Sequence, residues 1–125
     1  MQDPHKINVS VKTGYVRDQS DPDNERYVFA YTITITNSGS VPAKLLRRRW
    51  LITDANGKVQ EVRGDGVVGK QPRLEPGDTF CYTSAAVIET PFGYMQGRYY
   101  LIADDGIEFD TEIPVFRLSV PHTLH

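Results

Sequence analysis

Gly64-Asp65-Gly66-Val67-Val68-Gly69 spells GxGxxG, and Lys70 extends it to most of the phosphate-binding pattern GxxxxGK[ST]. The chemistry such a loop serves is anion capture. Glycines let successive backbone N–H groups turn toward one point, and a lysine neutralises the phosphate held there. Two features separate this chain from the nucleotide motifs. Position 71 is Gln71, so the hydroxyl that would hold magnesium is missing. The continuation Lys70-Gln71-Pro72-Arg73-Leu74-Glu75-Pro76-Gly77 allows one helical turn at most, so the helix N-terminus both motifs need is absent. What survives is a smaller expectation: phosphate, pyrophosphate or a nucleotide, with or without a divalent cation, at Gly64, Gly66, Gly69, Lys70 and Arg73. The plainer reading is a loop at the end of the fold whose glycines meet positive-φ demands.

Asp18, Asp21, Asp23 and Glu25 crowd a second segment and are the oxygen ligands magnesium or cobalt would use. Their spacing is not that of a calcium-binding EF-hand loop, and Asp21-Pro22-Asp23-Asn24 is good turn chemistry, so a solvated turn is the leading expectation. His5, His122 and His125 lie near the termini and read as exposed. Cys81, the single cysteine, sits between Phe80 and Tyr82 in an extended run and reads as a small mid-strand hydrophobe, with no base beside it. No catalytic set emerges and no cofactor is expected.

Arg47-Arg48-Arg49 is the only basic run. On a strand, Arg47 and Arg49 share one face while Arg48 joins Trp50, at the margin of the core, where it should need a carboxylate. Trp50 itself is expected to pack in the core. Phe80, Tyr82, Phe92, Tyr94, Tyr99 and Tyr100 are more aromatics than one face of the last strands requires. Phe92, Tyr94 and Met95, around a loop from Ile88 to Gly97, are therefore expected to be exposed and to suit a protein interface. Edge strands offer the same surface to a second copy, as a homodimer.

These groups must be positioned by strands. Apolar and polar residues alternate in Lys6–Lys12, and Tyr27, Phe29, Tyr31, Ile33 and Ile35 line one face opposite Thr32, Thr34 and Thr36. Further strands are expected at Ala43–Asp54, Lys58–Arg63, Thr79–Val87, Arg98–Ala103 and from Ile107 to about Phe116, with Asn56-Gly57 as the clearest hairpin turn. Seven or eight short strands without a helix predict an antiparallel β-sandwich. With 125 residues, one domain is expected over 1–125, its ordered core at about 6–118. A net charge of −2 gives no global field for nucleic acid, and no apolar run approaches a membrane span. The amino terminus lacks the pattern of a signal peptide, so the cytoplasm is the expected location.

Several runs are familiar. Gln19-Ser20-Asp21-Pro22, Arg26-Tyr27-Val28-Phe29-Ala30-Tyr31, Trp50-Leu51-Ile52-Thr53-Asp54, the glycine run 64–69, Tyr82-Thr83-Ser84 and Gly93-Tyr94-Met95-Gln96-Gly97 resemble the bacterial ApaG family, also called CorD. The resemblance covers Lys6 to about Pro121 in order and spacing. It implies a fibronectin type III-like sandwich and a poorly defined molecular function associated with cobalt tolerance and magnesium efflux. Related domains are attached to F-box and DNA polymerase-interacting proteins, which implies a protein-interaction module whose partner is unidentified.

Overall fold

The computed structural model describes residues 3–121, so His122 and His125 lie outside the described residues. Eight strands run in the order β1 (Ile7–Tyr15), β2 (Tyr27–Asn37), β3 (Ala43–Asp54), β4 (Val59–Asp65), β5 (Arg73–Leu74), β6 (Thr79–Ile88), β7 (Phe92–Ala103) and β8 (Glu108–Ser119). They form two antiparallel sheets, a smaller one ordered β1-β2-β6 and a larger one ordered β4-β3-β7-β8, with β5 pairing beside β4 along β3. The expected two-sheet sandwich is the architecture found. Two single 3₁₀ turns, Arg17–Gln19 and Pro22–Asn24, are the only helical pieces among the described residues, and none is long or apolar enough to cross a membrane.

The alternation in the sequence decides which face each strand buries. Phe29, Tyr31, Ile33 and Ile35 of β2 meet Leu45, Trp50 and Ile52 of β3 across the sandwich. Trp50 is 2% exposed and lies edge-on to Tyr31, Tyr99 and Phe116, the arrangement that aromatic quadrupoles favour. Asn37, also buried, closes the base of the fold. Its amide donates to the carbonyls of Val41 and Leu74, and its oxygen accepts from Gly39 N–H.

Several strands extend beyond their expected limits, and two of them, β7 and β4, do so at the candidate sites. β7 begins at Phe92, not Arg98, so the expected loop from Ile88 to Gly97 is mostly strand. The glycine there is no breaker: a Cβ on Gly97 would stand 2.2 Å from the Arg49 carbonyl oxygen, so glycine permits the close approach of β3. β4 likewise continues through Gly64 and Asp65, taking the first two residues of the glycine run into the sheet.

Candidate functional site

The outer face of the larger sheet gathers side chains that are far apart in sequence. Arg49 pairs with Arg63 on β4 and with Arg98 on β7, so three arginines stand in one row across three strands. The next row holds Asp65, Arg47, Tyr100 and Asp110. A cleft of about 640 Å³ lies over these rows, lined by Arg47, Arg48, Arg49 and Arg63 with Asp65 and Tyr100.

The arginines are held differently. The Glu61 carboxylate accepts from Arg49 Nε at 3.0 Å and Nη2 at 2.8 Å, and its other oxygen meets Arg63 Nε at 2.8 Å. Those bonds, from Arg49 first and then Arg63, hold the Glu61 carboxyl below the ordinary carboxylate range. Arg98 is loosely paired, at 3.4 Å from Asp110 and 3.8 Å from Glu112. Arg47 lies with its guanidinium 5.3 Å from the Tyr100 ring centroid and makes no carboxylate pair among the described residues. Arg48 turns the other way. Where a carboxylate was expected, its Nη1 donates to the carbonyls of Asp65 at 3.1 Å and Gly66 at 2.9 Å.

That inward arginine accounts for the first glycine of the GxGxxG run. A Cβ at Gly64 would lie 2.7 Å from Arg48 Nη1, so the guanidinium occupies the space of the missing side chain. Val67 and Lys70 then exchange two backbone bonds, of 2.8 and 2.9 Å, around Val68 at φ 44° and Gly69 at φ 78°. Positive φ at both central positions makes this a type I′ turn, for which the valine is an unusual choice. Gly66 N–H is bonded to the Leu46 carbonyl, so the N–H groups of Gly66, Val67 and Lys70 all have partners inside the chain. Arg73 is paired with Asp104 and, at 3.5 Å, with Glu75. The expected anion set therefore divides. Gly64 borders the arginine cleft, Gly66, Gly69 and the exposed Lys70 shape the hairpin tip, and Arg73 belongs to a separate ion-paired corner.

Asp18, Asp21, Asp23 and Glu25 are exposed on the two 3₁₀ turns. Asp21 accepts from the Asn24 amide at 2.7 Å, and Glu25 adopts a left-handed conformation at φ 54°. Among the described residues no three His, Cys, Asp or Glu side chains converge as metal ligands would. His5, expected to be exposed, is instead half-buried, meeting Asp105 at 2.7 Å and packing on Phe109. The Ile107 N–H, followed by His5, draws the Asp105 carboxyl down.

The expected interface trio is corrected at one member. Phe92 and Tyr94 are 45% and 43% exposed, but Met95 is fully buried, because β7 is continuous there and alternation sends position 95 inward. Beside the two aromatics lies a shallow hollow of about 470 Å³, shared with Val115, Phe116 and Arg117. The Arg117 guanidinium stands 5.3 Å from the Phe92 ring centroid. Val115 and Arg117 escaped the sequence reading, as did Arg63 and Arg98, and Tyr100 entered it only among the surplus aromatics. The available signal was the i, i+2 spacing of Arg98 and Tyr100. Cys81 is exposed, not packed, with the Thr34 hydroxyl 3.7 Å from its sulfur. Inside the sandwich, Tyr82 and Tyr99 join their hydroxyls in a short hydrogen bond between the sheets. Burial is the main cause that pushes Tyr82 up to about 12 and Tyr99 higher still.

The pattern of the ApaG domain family matches residues 17–103. The chain belongs to the ApaG family. It is 57% identical over its full length to Protein ApaG of Pseudomonas putida, covering all of that chain too. It is 58% identical over 121 residues to Protein ApaG of Thiobacillus denitrificans, spanning 97% of this chain and 95% of that one. A Bordetella pertussis protein crystallised under the name ApaA superposes with a TM-score of 0.95 at 50% identity, covering 98% of this chain and 100% of that one.

Proposed function

We propose that this ApaG-family chain is a non-catalytic protein-binding module, and that the outer face of its larger sheet is the binding surface. One observation carries the reading: Phe92, Tyr94 and Tyr100 stand on the same sheet face as Arg47, Arg49, Arg63, Arg98 and Arg117. Exposed aromatics beside arginines are the composition that concentrates binding energy at protein interfaces. The reactive-looking groups elsewhere have structural occupations. The buried tyrosine pair ties the two sheets, and Cys81 belongs to a row of threonines. On this reading the family's association with cobalt tolerance and magnesium efflux arises through a cytoplasmic protein bound at this face.

The test is capture from a bacterial lysate by immobilised wild-type chain and by the Phe92→Asp/Tyr94→Asp variant, with thermal unfolding of both recorded. A protein retained by the wild type and lost by the equally stable variant supports the reading. Identical retention counts against it. A parallel amide titration with pyrophosphate and ATP examines the glycine run, where saturable shifts confined to 64–73 would favour a ligand-binding role instead.

A further inference from the structure

The charge on this face is sorted by strand, with Arg47 and Arg49 on β3 flanked by Arg63 and Arg98, and the carboxylates of Glu108, Asp110 and Glu112 on β8. The chain as a whole carries −2, yet four arginines line the larger cleft against Asp65, with Glu61 alongside. Arginine's planar fork is suited to carboxylate and phosphate alike. Here the chain supplies its own example of what fits. The Glu61 side chain already bridges Arg49 and Arg63 as an intramolecular carboxylate, while Arg47 lies against the Tyr100 ring with no carboxylate partner among the described residues. The cleft shares the face, along β3 and β7, with the exposed aromatic end, and a smaller hollow lined by Arg49, Leu51, Gln96 and Arg98 lies between the two. From the Arg47–Tyr100 row to the Thr53–Tyr94 row is six residues of β3, about 20 Å. An extended segment of six or seven residues covers that length, whereas a single small anion would leave the aromatic end unused.

We infer that the arginine cleft docks an acidic, extended segment of a partner protein, with an apolar residue of that segment reaching Phe92 and Tyr94. The inference rests on the reading of this face as the partner-binding surface and adds the chemistry of the partner. Carboxylates of the segment join Arg47 and compete with Glu61 for Arg49 and Arg63. Side chains about six positions away pack in the hollow between Tyr94 and Val115.

The experiment is an amide and arginine-Nε NMR titration of the full chain with a capped synthetic peptide, Glu-Glu-Glu-Ser-Gly-Ser-Leu-Phe. The arms are the same peptide with lysine replacing glutamate, and inorganic pyrophosphate. Saturable shifts at Arg47, Arg49 and Arg63 together with Phe92 and Tyr94 are expected, from the glutamate peptide only. Raising salt from 50 to 200 mM should weaken them several-fold, since exposed ion pairs are screened. Arg47→Glu/Arg63→Glu should lower affinity by about tenfold or more, the loss of roughly two charge-assisted contacts. Both side chains are exposed, and the milder Arg47→Gln/Arg63→Gln pair repeats the test if reversal disturbs the sheet. Equal shifts from the lysine peptide, shifts from pyrophosphate alone, or no saturation would each overturn the inference. Failure of the peptide while lysate capture still depends on Phe92 and Tyr94 rejects the acidic segment and leaves the binding face standing. Peptide binding with capture indifferent to those aromatics rejects the binding face itself.

Discussion

The two outer faces of the sandwich meet the same solvent with opposite strategies. On the smaller sheet, Thr32 opposes Thr83, Thr34 opposes Cys81 and Thr36 opposes Thr79. The two threonine pairs join hydroxyl to hydroxyl at 2.8 and 3.1 Å, so short, uncharged and mutually bonded side chains line the β2–β6 seam of this surface, with Lys12 of β1 in register beside Thr32. On the larger sheet the outward positions hold long arginines and aromatic rings. Their ion pairs range from the tight bridge at Glu61 to the loose contacts of Arg98, and Arg47 lies against an aromatic ring without a carboxylate pair among the described residues. Both faces are built on one continuous core. The difference shows that core packing constrains only inward positions, leaving one face free to be closed and the other to remain available for contact.

The largest expected effect is on binding. Phe92→Asp/Tyr94→Asp should reduce retention of a captured partner more than tenfold, removing two anchors of the kind that cost about 2 kcal/mol or more each. Next come changes to the core that both faces share. Tyr82→Phe leaves the buried Tyr99 hydroxyl without its partner and should cost about 1–3 kcal/mol in urea unfolding, with the double Tyr82→Phe/Tyr99→Phe recovering much of it. The same pair sets an alkaline limit. Because folding raises the Tyr82 pKa from 10 to about 12, its stabilisation is complete below pH 10 and is lost as pH climbs through 12. Unfolding measured from pH 8 to 12 should show a decline beginning near 10 that the double phenylalanine variant lacks.

Smaller effects sharpen the contrast. Val68→Asn places the preferred residue at the first central position of the type I′ turn, relieves a β-branched residue at φ 44°, and removes a side chain that is already exposed. A gain of about 0.5–1 kcal/mol is expected in thermal unfolding. Thr34→Val on the smaller sheet keeps the branched shape and gives up only a weak contact to sulfur. It should move stability by less than about 0.5 kcal/mol and leave partner retention unchanged.

The strands were legible where alternation was unbroken. Ala43–Asp54 is the strand its sequence predicts, and Trp50 faces inward as its surroundings require. Gly93, Gly97 and Gly64 sit at points expected to be loop, but each lies in a strand where another group occupies the space of its missing side chain. The misplaced start of β7 then put Met95 on the surface, since extending the strand sends position 95 inward. Cys81, read as a mid-strand hydrophobe, is turned outward by parity. Tyr82 faces the core, so the residue before it must face out. The arginine face was legible only in fragments. Arg47 and Arg49 could be assigned to one side of a strand, but their meeting with Arg63, Arg98 and Tyr100 depends on long-range register between β4, β3 and β7. Nor does spacing reveal that Arg48 fills the place at Gly64, which gives the first glycine of the run a packing role.

The most direct measurement places a photo-crosslinking amino acid at position 94 on the larger sheet and, in a second sample, at position 34 on the smaller one, each irradiated in living cells. A discrete crosslinked protein from position 94 and none from position 34 is the predicted result. Adducts from position 34 alone, or the same adduct from both, would contradict the assignment of binding to the arginine and aromatic face.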